Sequence, residues 1–168
     1  MHNFFTLFDL PEQFNLNEKT LKTRFVALQT QFHPDNFAQQ SETQKLNALK
    51  YSTLLNDAFQ CLNNPIARAQ HLLQLVHHPL DLHNNTAMPQ SFLIQQLTLH
   101  EELEEAKKSN NINALENLFH QIDEEESQTL NQLNHAFEQQ DYSLASTHLR
   151  ALMFLSKLKI AVSNALEE

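Results

Sequence analysis

A histidine, a proline and an aspartate stand together as His33-Pro34-Asp35, between two stretches with the apolar spacing of amphipathic helices. Pro34 has no amide hydrogen and biases His33 away from helical dihedral angles, so the preceding helix is expected to end at Phe32. The imidazole and the carboxylate would then project from a helix junction, where a partner can reach them. The sequence therefore predicts a contact site at this corner.

The same three residues allow two other interpretations. The proline could simply end one helix while the aspartate begins the next, with no role beyond the chain reversal. His33 and Asp35 could also serve a hydrolase together with one of the many glutamates. A catalytic site needs a pocket as well, however, and a small helical protein offers little concavity. We therefore predict a binding protein and no enzyme.

The composition predicts the fold class. Glycine is absent from all 168 residues, whereas β-hairpins and phosphate-binding loops need residues with positive φ. We predict an all-α chain. No apolar run reaches the roughly 18–20 residues of a membrane span, and the first residues lack the features of a signal peptide. A soluble cytoplasmic protein is expected.

Charge and cysteine usage exclude further classes. A net charge of -9 argues against nucleic acid as a partner, because phosphate binding needs a basic face. Residues 1–76 carry six basic and six acidic side chains, and residues 77–168 carry five and fourteen, which indicates two parts with different roles. The single cysteine, Cys61, excludes an internal disulfide and a multi-cysteine metal site. We predict no metal and no cofactor.

The first part, residues 1–76, is predicted to contain an antiparallel helix pair between short flanking helices. Asn17 is a good N-cap for the helix that runs to Phe32, and residues 41–44 have the form of a capping box for the next. Pro65 suits the first position of another helix. The buried faces are predicted from helical spacing: Leu21, Phe25, Leu28 and Phe32, then Ala48, Tyr51, Leu55, Ala58, Phe59 and Leu62.

The second part is predicted to be a three-helix bundle. Residues 77–89, with two prolines and adjacent asparagines, are typical of a connection between domains. Helical spacing then predicts helices over about 90–107, 112–138 and 142–166. Short connections favour antiparallel neighbours. The C-terminal domain is therefore predicted to span residues 90–168.

One helix of this bundle is apolar on two sides. At about 100° per residue, Phe92, Leu99, Leu103 and Ala106 share one direction, which we expect to be the buried face. Other apolar and acidic side chains point elsewhere: Leu93, Ile94, Leu97, Glu101, Glu104 and Glu105. On the last helix Phe154 stands about 200° from Leu152 and is likewise predicted to lie off the core face. This pattern indicates a docking patch, although the cluster could instead pack against the first domain or the connection.

The first 76 residues resemble a J domain, with a short first segment, an amphipathic helix, His33-Pro34-Asp35 and a long antiparallel helix. Three further stretches resemble the iron-sulfur cluster co-chaperones of the HscB type: residues 4–8, 64–73 and 99–103. The resemblance covers nearly the whole chain. It implies an adaptor that brings an iron-sulfur scaffold of the IscU type to a specialised DnaK-class chaperone of the HscA type, and that stimulates ATP hydrolysis by this chaperone.

The resemblance also implies two sets of contact residues. The chaperone would be bound by His33, Pro34, Asp35, Lys22 and Arg24. The scaffold would be bound by Leu93, Ile94, Leu97, Thr98, Glu101, Glu105 and Phe154. Two positions depart from the family pattern: Thr98 replaces an acidic residue, and Asn36 stands where many J domains have a lysine. The second helix is also only weakly basic, which implies weaker electrostatic steering toward the chaperone.

A general J-domain chaperone that holds unfolded polypeptides is the alternative function. Such a protein is expected to show a broad apolar surface, a region rich in glycine and phenylalanine, or a zinc-bearing region. The sequence contains none of these.

Overall fold

The computed structural model describes residues 2–80 and 88–167. Residues 1–78 and 79–168 form two compact units, which we call the first and the second unit. The described residues form no β-strand, which confirms the all-α prediction. The α-helices are α1 (Phe4–Leu7), α2 (Glu18–Gln31), α3 (Glu42–Asn63), α4 (Pro65–Leu75), α5 (Gln90–Lys108), α6 (Ile112–Glu138) and α7 (Tyr142–Glu167). A 3-10 turn, Pro34–Phe37, joins α2 to α3.

The antiparallel pair α2 and α3 is the centre of the first unit. The ring of Phe25 stacks on Phe59 at 4.2 Å, and the ring of Phe32 lies 4.4 Å from that of Tyr51. The two helices begin where the sequence predicts. The Asn17 side chain accepts from the Thr20 amide at 2.9 Å, and a capping box at Ser41 opens α3.

Two buried polar side chains of α4 connect this helix to other segments of the first unit. His71 Nε2 accepts the Phe4 amide at 3.2 Å, and the Phe4 ring stacks on the imidazole at 4.6 Å. Arg68 donates to the Leu62 carbonyl at 2.9 Å and lies 5.1 Å from the centre of the Phe14 ring. Burial lowers the pKa of His71, because the charged imidazolium would lose its hydration. The neutral ring is therefore the form that accepts this hydrogen bond.

The second unit is a bundle of three helices, as predicted. Its core contains a group of buried side chains from all three helices: Leu99, Leu103, Ala106, Leu115, Leu118, Ile122, Leu155, Leu158 and Val162. Helical spacing predicts that the buried face of α6 contains Leu115, Leu118, Phe119, Ile122, Leu130, Leu133 and Phe137, and this face needs one correction. Phe119, Leu130 and Phe137 are only half-buried, whereas the small side chains of Thr129 and Ala136 are buried. Hydrophobic spacing gives weight to large apolar residues and therefore overlooked the small ones at the centre of the packed face.

Each of four helices is followed by a residue in the left-handed conformation, which glycine usually adopts at a helix end. Here residues other than glycine adopt it. The residues concerned have φ between 49° and 57°: Asp9, His77, Asn110 and Gln140. After α6, for example, the Gln140 amide donates to the Phe137 carbonyl at 3.1 Å and the Asp141 amide to the Ala136 carbonyl at 2.9 Å. These paired bonds satisfy the terminal carbonyls and hold residues other than glycine in this conformation.

The predicted connection, residues 77–89, lies partly outside the described residues, so its limits and the domain limits at 76 and 90 stay predictions. Within residues 2–80 and 88–167, each helix is too short or too polar to cross a lipid bilayer.

Candidate binding sites

The His33-Pro34-Asp35 corner is formed by a change of backbone geometry. The last amide bonded to α2 is that of Phe32, which donates to the Leu28 carbonyl at 2.9 Å. His33 is extended, with φ -60° and ψ 132°, and Pro34 is the first residue of the 3-10 turn. Proline fits this position because a helical first residue needs no amide donor. The corner thus belongs to neither α2 nor α3.

The polar side chains of the corner face solvent. His33 Nδ1 accepts the Asp35 amide at 3.3 Å and lies 3.5 Å from Asp35 Oδ2. The side chain of Asp35 is 89% exposed and that of His33 is 54% exposed. An open carboxylate on a backbone held in this way is suited to accept a paired hydrogen bond from an arginine.

The two basic residues predicted for the same site lie in different surroundings. Lys22 is exposed on α2. The Arg24 guanidinium, about 200° away around the helix, donates to the Phe8 carbonyl at 2.6 Å and to the Asp9 carboxylate at 3.0 Å. It also contacts the Asp9 carbonyl. Arg24 therefore ties the end of α1 to α2.

Val26 is an exposed residue that the sequence interpretation did not single out. It lies one turn after Lys22, and 53% of its surface is exposed. The sequence does contain a signal for this exposure. Val26 lies on the polar side of α2, whereas the other large apolar residues of that helix are spaced along its buried side.

Helix α5 buries one face and exposes a second apolar strip. Of the four residues predicted for the buried face, Leu99, Leu103 and Ala106 are at most 4% exposed, whereas Phe92 is only half-buried because it lies near the start of the helix. Leu93, Ile94 and Leu97 are 44%, 58% and 60% exposed. The polar residues predicted with them are exposed too: Thr98, Glu101 and Glu105. The strip is therefore not part of the core of the bundle.

Phe154 differs from the rest of this predicted site. It is half-buried and packs against the core of the bundle. The Phe92 and His100 rings meet it edge-on, with centroid distances of 5.9 Å and 5.5 Å. Phe154 thus joins α7 to α5 at the border of the strip. Phe92 and His100 support it, and the pattern of single helices could not show this contact between two helices.

The described residues contain neither a cluster of metal ligands nor an activated cysteine. No group of three or more His, Cys, Asp or Glu side chains among them is arranged to hold a metal ion. The half-buried Cys61 donates to the Ala67 carbonyl at 3.6 Å. Burial raises the pKa of this thiol, so the less reactive protonated form is favoured.

An antiparallel helix pair, joined by a His33-Pro34-Asp35 corner whose His33 and Asp35 side chains are exposed, is the arrangement of a J domain, which places the chain among the J-domain co-chaperones. Residues 88–163 match the family model described as the HSCB C-terminal oligomerisation domain. A Neisseria meningitidis protein named co-chaperone protein HscB homolog is 36% identical over 166 residues, which cover 99% of this chain and 100% of the relative. The chain belongs to the HscB family of co-chaperones.

Solved structures of the family have the same fold. Chaperone HscB from Vibrio cholerae is 35% identical, with a TM-score of 0.88 over 99% of this chain and 98% of that one. The human co-chaperone protein HscB is 28% identical, with a TM-score of 0.91 over 98% of this chain and 82% of that one.

Proposed function

We propose that this chain is an adaptor with two binding sites and no catalytic chemistry of its own. The first unit binds a DnaK-class chaperone of the HscA type and stimulates its ATPase. The second unit binds an iron-sulfur scaffold of the IscU type, and together these contacts aid cluster transfer in the cytoplasm. The observation that carries the proposal is the exposed apolar strip on α5, because a helix already packed in a core has no structural need for it.

The chaperone contact rests on the corner. Asp35 accepts from an arginine of the chaperone, and Pro34 keeps the backbone of the turn in shape. His33 supports the same turn, since its Nδ1 accepts the Asp35 amide. Lys22 and Val26 extend this surface along α2, where the lysine favours an acidic partner. Arg24 contributes to the chaperone contact through the part of its side chain that remains exposed.

The scaffold contact rests on the strip. Leu93, Ile94 and Leu97 form an apolar centre, and Phe154 borders it. Glu101 and Glu105 provide the negative charge of a polar rim, and the uncharged Thr98 belongs to the same rim. A partner that fits this surface has an apolar patch flanked by basic residues.

A holding chaperone for unfolded polypeptides is less well supported. Its surface would need to be broad and adaptable, whereas three exposed side chains on one regular helix form a small, defined patch. The two functions can be separated by aggregation assays with an unrelated denatured protein. We expect the chain to give no protection, and broad protection would favour the holding function.

The proposal is tested by the steady-state ATPase rate of the cognate DnaK-class chaperone. We expect the chain alone to raise this rate, and the chain together with the scaffold to raise it more than the two separate effects combined. A chain that leaves the rate unchanged in both conditions contradicts the proposal. A chain that stimulates equally with and without scaffold contradicts the part of the proposal that concerns delivery.

A further inference from the structure

The side chain of Asn36 links the corner to the end of α2. Its Nδ2 donates to the Thr30 carbonyl at 2.8 Å and lies 3.5 Å from the Gln31 carbonyl. Its own amide donates to the His33 carbonyl at 3.0 Å. One residue thus bonds to the last turn of α2 and to the first residue of the corner.

These bonds use carbonyl groups that a helix end leaves free. The final carbonyls of an α-helix have no partner within the helix, so a nearby donor that reaches them stabilises the chain that follows. The amide of asparagine is short and planar, which limits the positions from which it can reach Thr30. The bond therefore restricts where the 3-10 turn begins relative to α2. The turn contacts α3 as well, and Asn36 provides a side-chain tie to α2.

The Asp35 carboxylate depends on the direction in which this turn points. Asp35 is the residue before Asn36 and belongs to the same turn, and its side chain is 89% exposed, so neighbouring side chains do not cage it. Its average direction is set mainly by the backbone. That backbone is held on both sides of Asp35, because the Asp35 amide donates to His33 Nδ1 and the Asn36 side chain donates to the Thr30 carbonyl of α2.

We propose that Asn36 is a positioning residue, which holds the corner before the chaperone binds. This inference rests on the proposed function, since it concerns the affinity of that same contact. A turn that is already ordered loses less conformational entropy on binding. Asn36 thus supplies order at a position where many J domains have a lysine, whose charge would instead add electrostatic steering.

Three forms of the full chain test this inference: the original chain, Asn36→Ala and Asn36→Lys. Each is titrated into the cognate chaperone at low and at high salt, and the half-maximal concentration and the maximal ATPase stimulation are measured separately. For Asn36→Ala we expect the half-maximal concentration to rise about three- to tenfold at both salt concentrations, as the loss of one hydrogen bond implies. Maximal stimulation should be unchanged. Asn36→Lys should recover affinity at low salt only, because salt screens steering.

Amide hydrogen exchange of the chain alone tests the ordering without the chaperone. The amides of Asn36 and Ala38 are bonded within the turn, at 3.0 Å and 3.2 Å. Both should exchange faster in Asn36→Ala, while helicity and the unfolding temperature stay the same. Asn47→Ala, at an exposed asparagine of α3, is the matched control and should leave the exchange of these two turn amides and the half-maximal concentration unchanged.

The outcomes separate the two proposals. If the original chain stimulates the chaperone but Asn36→Ala has the same half-maximal concentration, or a lower maximal stimulation alone, the positioning role is overturned and the proposed function stands. Unchanged exchange of the turn amides also overturns it. If the original chain gives no stimulation, the proposed function fails, and the positioning role falls with it.

Discussion

The two candidate sites of this chain are built in opposite ways. The corner at residues 33–35 is polar, and it exists because a helix is interrupted and the backbone turns. The strip on α5 is apolar, and it lies on an uninterrupted helix whose other face is buried in the bundle. The corner is held by hydrogen bonds between residues close in sequence, whereas the strip is oriented by packing between distant helices.

This difference has a consequence for substitutions. Exposed side chains at the corner contribute little to folding, so changing them should remove function and keep the fold. The strip behaves in the same way only where its members avoid the core, as Leu93 and Leu97 do and Phe154 does not. Measuring stability and binding together therefore distinguishes a site built locally from one that shares residues with a core.

The largest expected effect is at the corner. Asp35→Asn, alone or with His33→Gln, should abolish the stimulation, so that the chaperone hydrolyses ATP at its basal rate. The reason is that the loss of one partner of a charged pair costs about 2–5 kcal/mol of binding free energy. The unfolding temperature, the helicity and the affinity for the scaffold should be nearly unchanged. Stimulation that survives both substitutions would show that the chaperone contact lies elsewhere.

The strip gives the next largest effect. Leu93→Ala combined with Leu97→Ala should weaken scaffold binding by about 2–4 kcal/mol, as measured by calorimetry, with a stability change below about 1 kcal/mol. Ile160→Ala is a matched control on α7, because Ile160 and Leu97 are both 60% exposed. Phe154→Ala should lower both binding and stability. Normal scaffold affinity with a large loss of stability in the Leu93 and Leu97 variant would identify the strip as structural.

Lys22 and Arg24, the two basic residues of α2 predicted to bind the chaperone, are expected to differ in their effects on binding and on stability. Lys22→Ala should reduce chaperone affinity about twofold to tenfold at low salt and less at high salt, with unchanged stability. Arg24→Ala should reduce chaperone affinity less than Lys22→Ala does, but it should lower the unfolding free energy by about 1 kcal/mol, because it removes bonds between α1 and α2 at a partly exposed position. Denaturant unfolding and affinity titrations measure both. The reverse pattern would place the electrostatic contact at Arg24.

In each unit burial lowers the pKa of one imidazole, that of His71 in the first and that of the half-buried His148 in the second, which gives a smaller effect with a defined sign. Burial lowers the pKa of His71 below its ordinary value of 6.5, and the Glu12 carboxylate opposes this only in part. The unfolded chain therefore takes up the proton first as the pH falls. Stability from His71 should be complete above pH 6.5 and decrease below it.

His71→Gln should make the unfolding free energy of the first unit less dependent on pH as the pH falls below about 6.5. Burial also lowers the pKa of His148 in the second unit, so His148→Gln is the matching change there. Unfolding curves recorded across this pH interval are the measurement. An unchanged slope for His71→Gln would contradict the assignment of the acid sensitivity to this residue.

The smallest effect concerns a helix end away from both sites. Gln140→Gly should stabilise the chain by about 0.5–1 kcal/mol, because glycine adopts a positive φ without a steric cost. Asn110→Gly should give less, since asparagine tolerates this conformation better. Thermal unfolding measures both. Neither change should alter ATPase stimulation or scaffold affinity, so a change in either function would show that stability and binding are linked here.

Local chemistry in the sequence determined most of the elements. The absence of glycine, the caps at Asn17 and Ser41 and the prolines at 34 and 65 act through the dihedral angles and hydrogen bonds of neighbouring residues. The corner and the two faces of α5 were predictable for the same reason, because each follows from the pattern along one segment. The sequence pattern also predicted a contact site at His33 and a docking patch at Leu93, whereas the partners of these two sites came from the family resemblance, and both roles stay predictions.

Tertiary structure alone decided which side chains serve the fold and which remain available. Arg24 appears in the sequence as a cation like Lys22, yet it bonds the end of α1. Phe154 appears off the core face, yet it packs between Phe92 and His100. The run at residues 64–73 gave no sign that Arg68 and His71 would be buried. In each case the partner lies on another segment, and helical spacing describes only the neighbours within one helix.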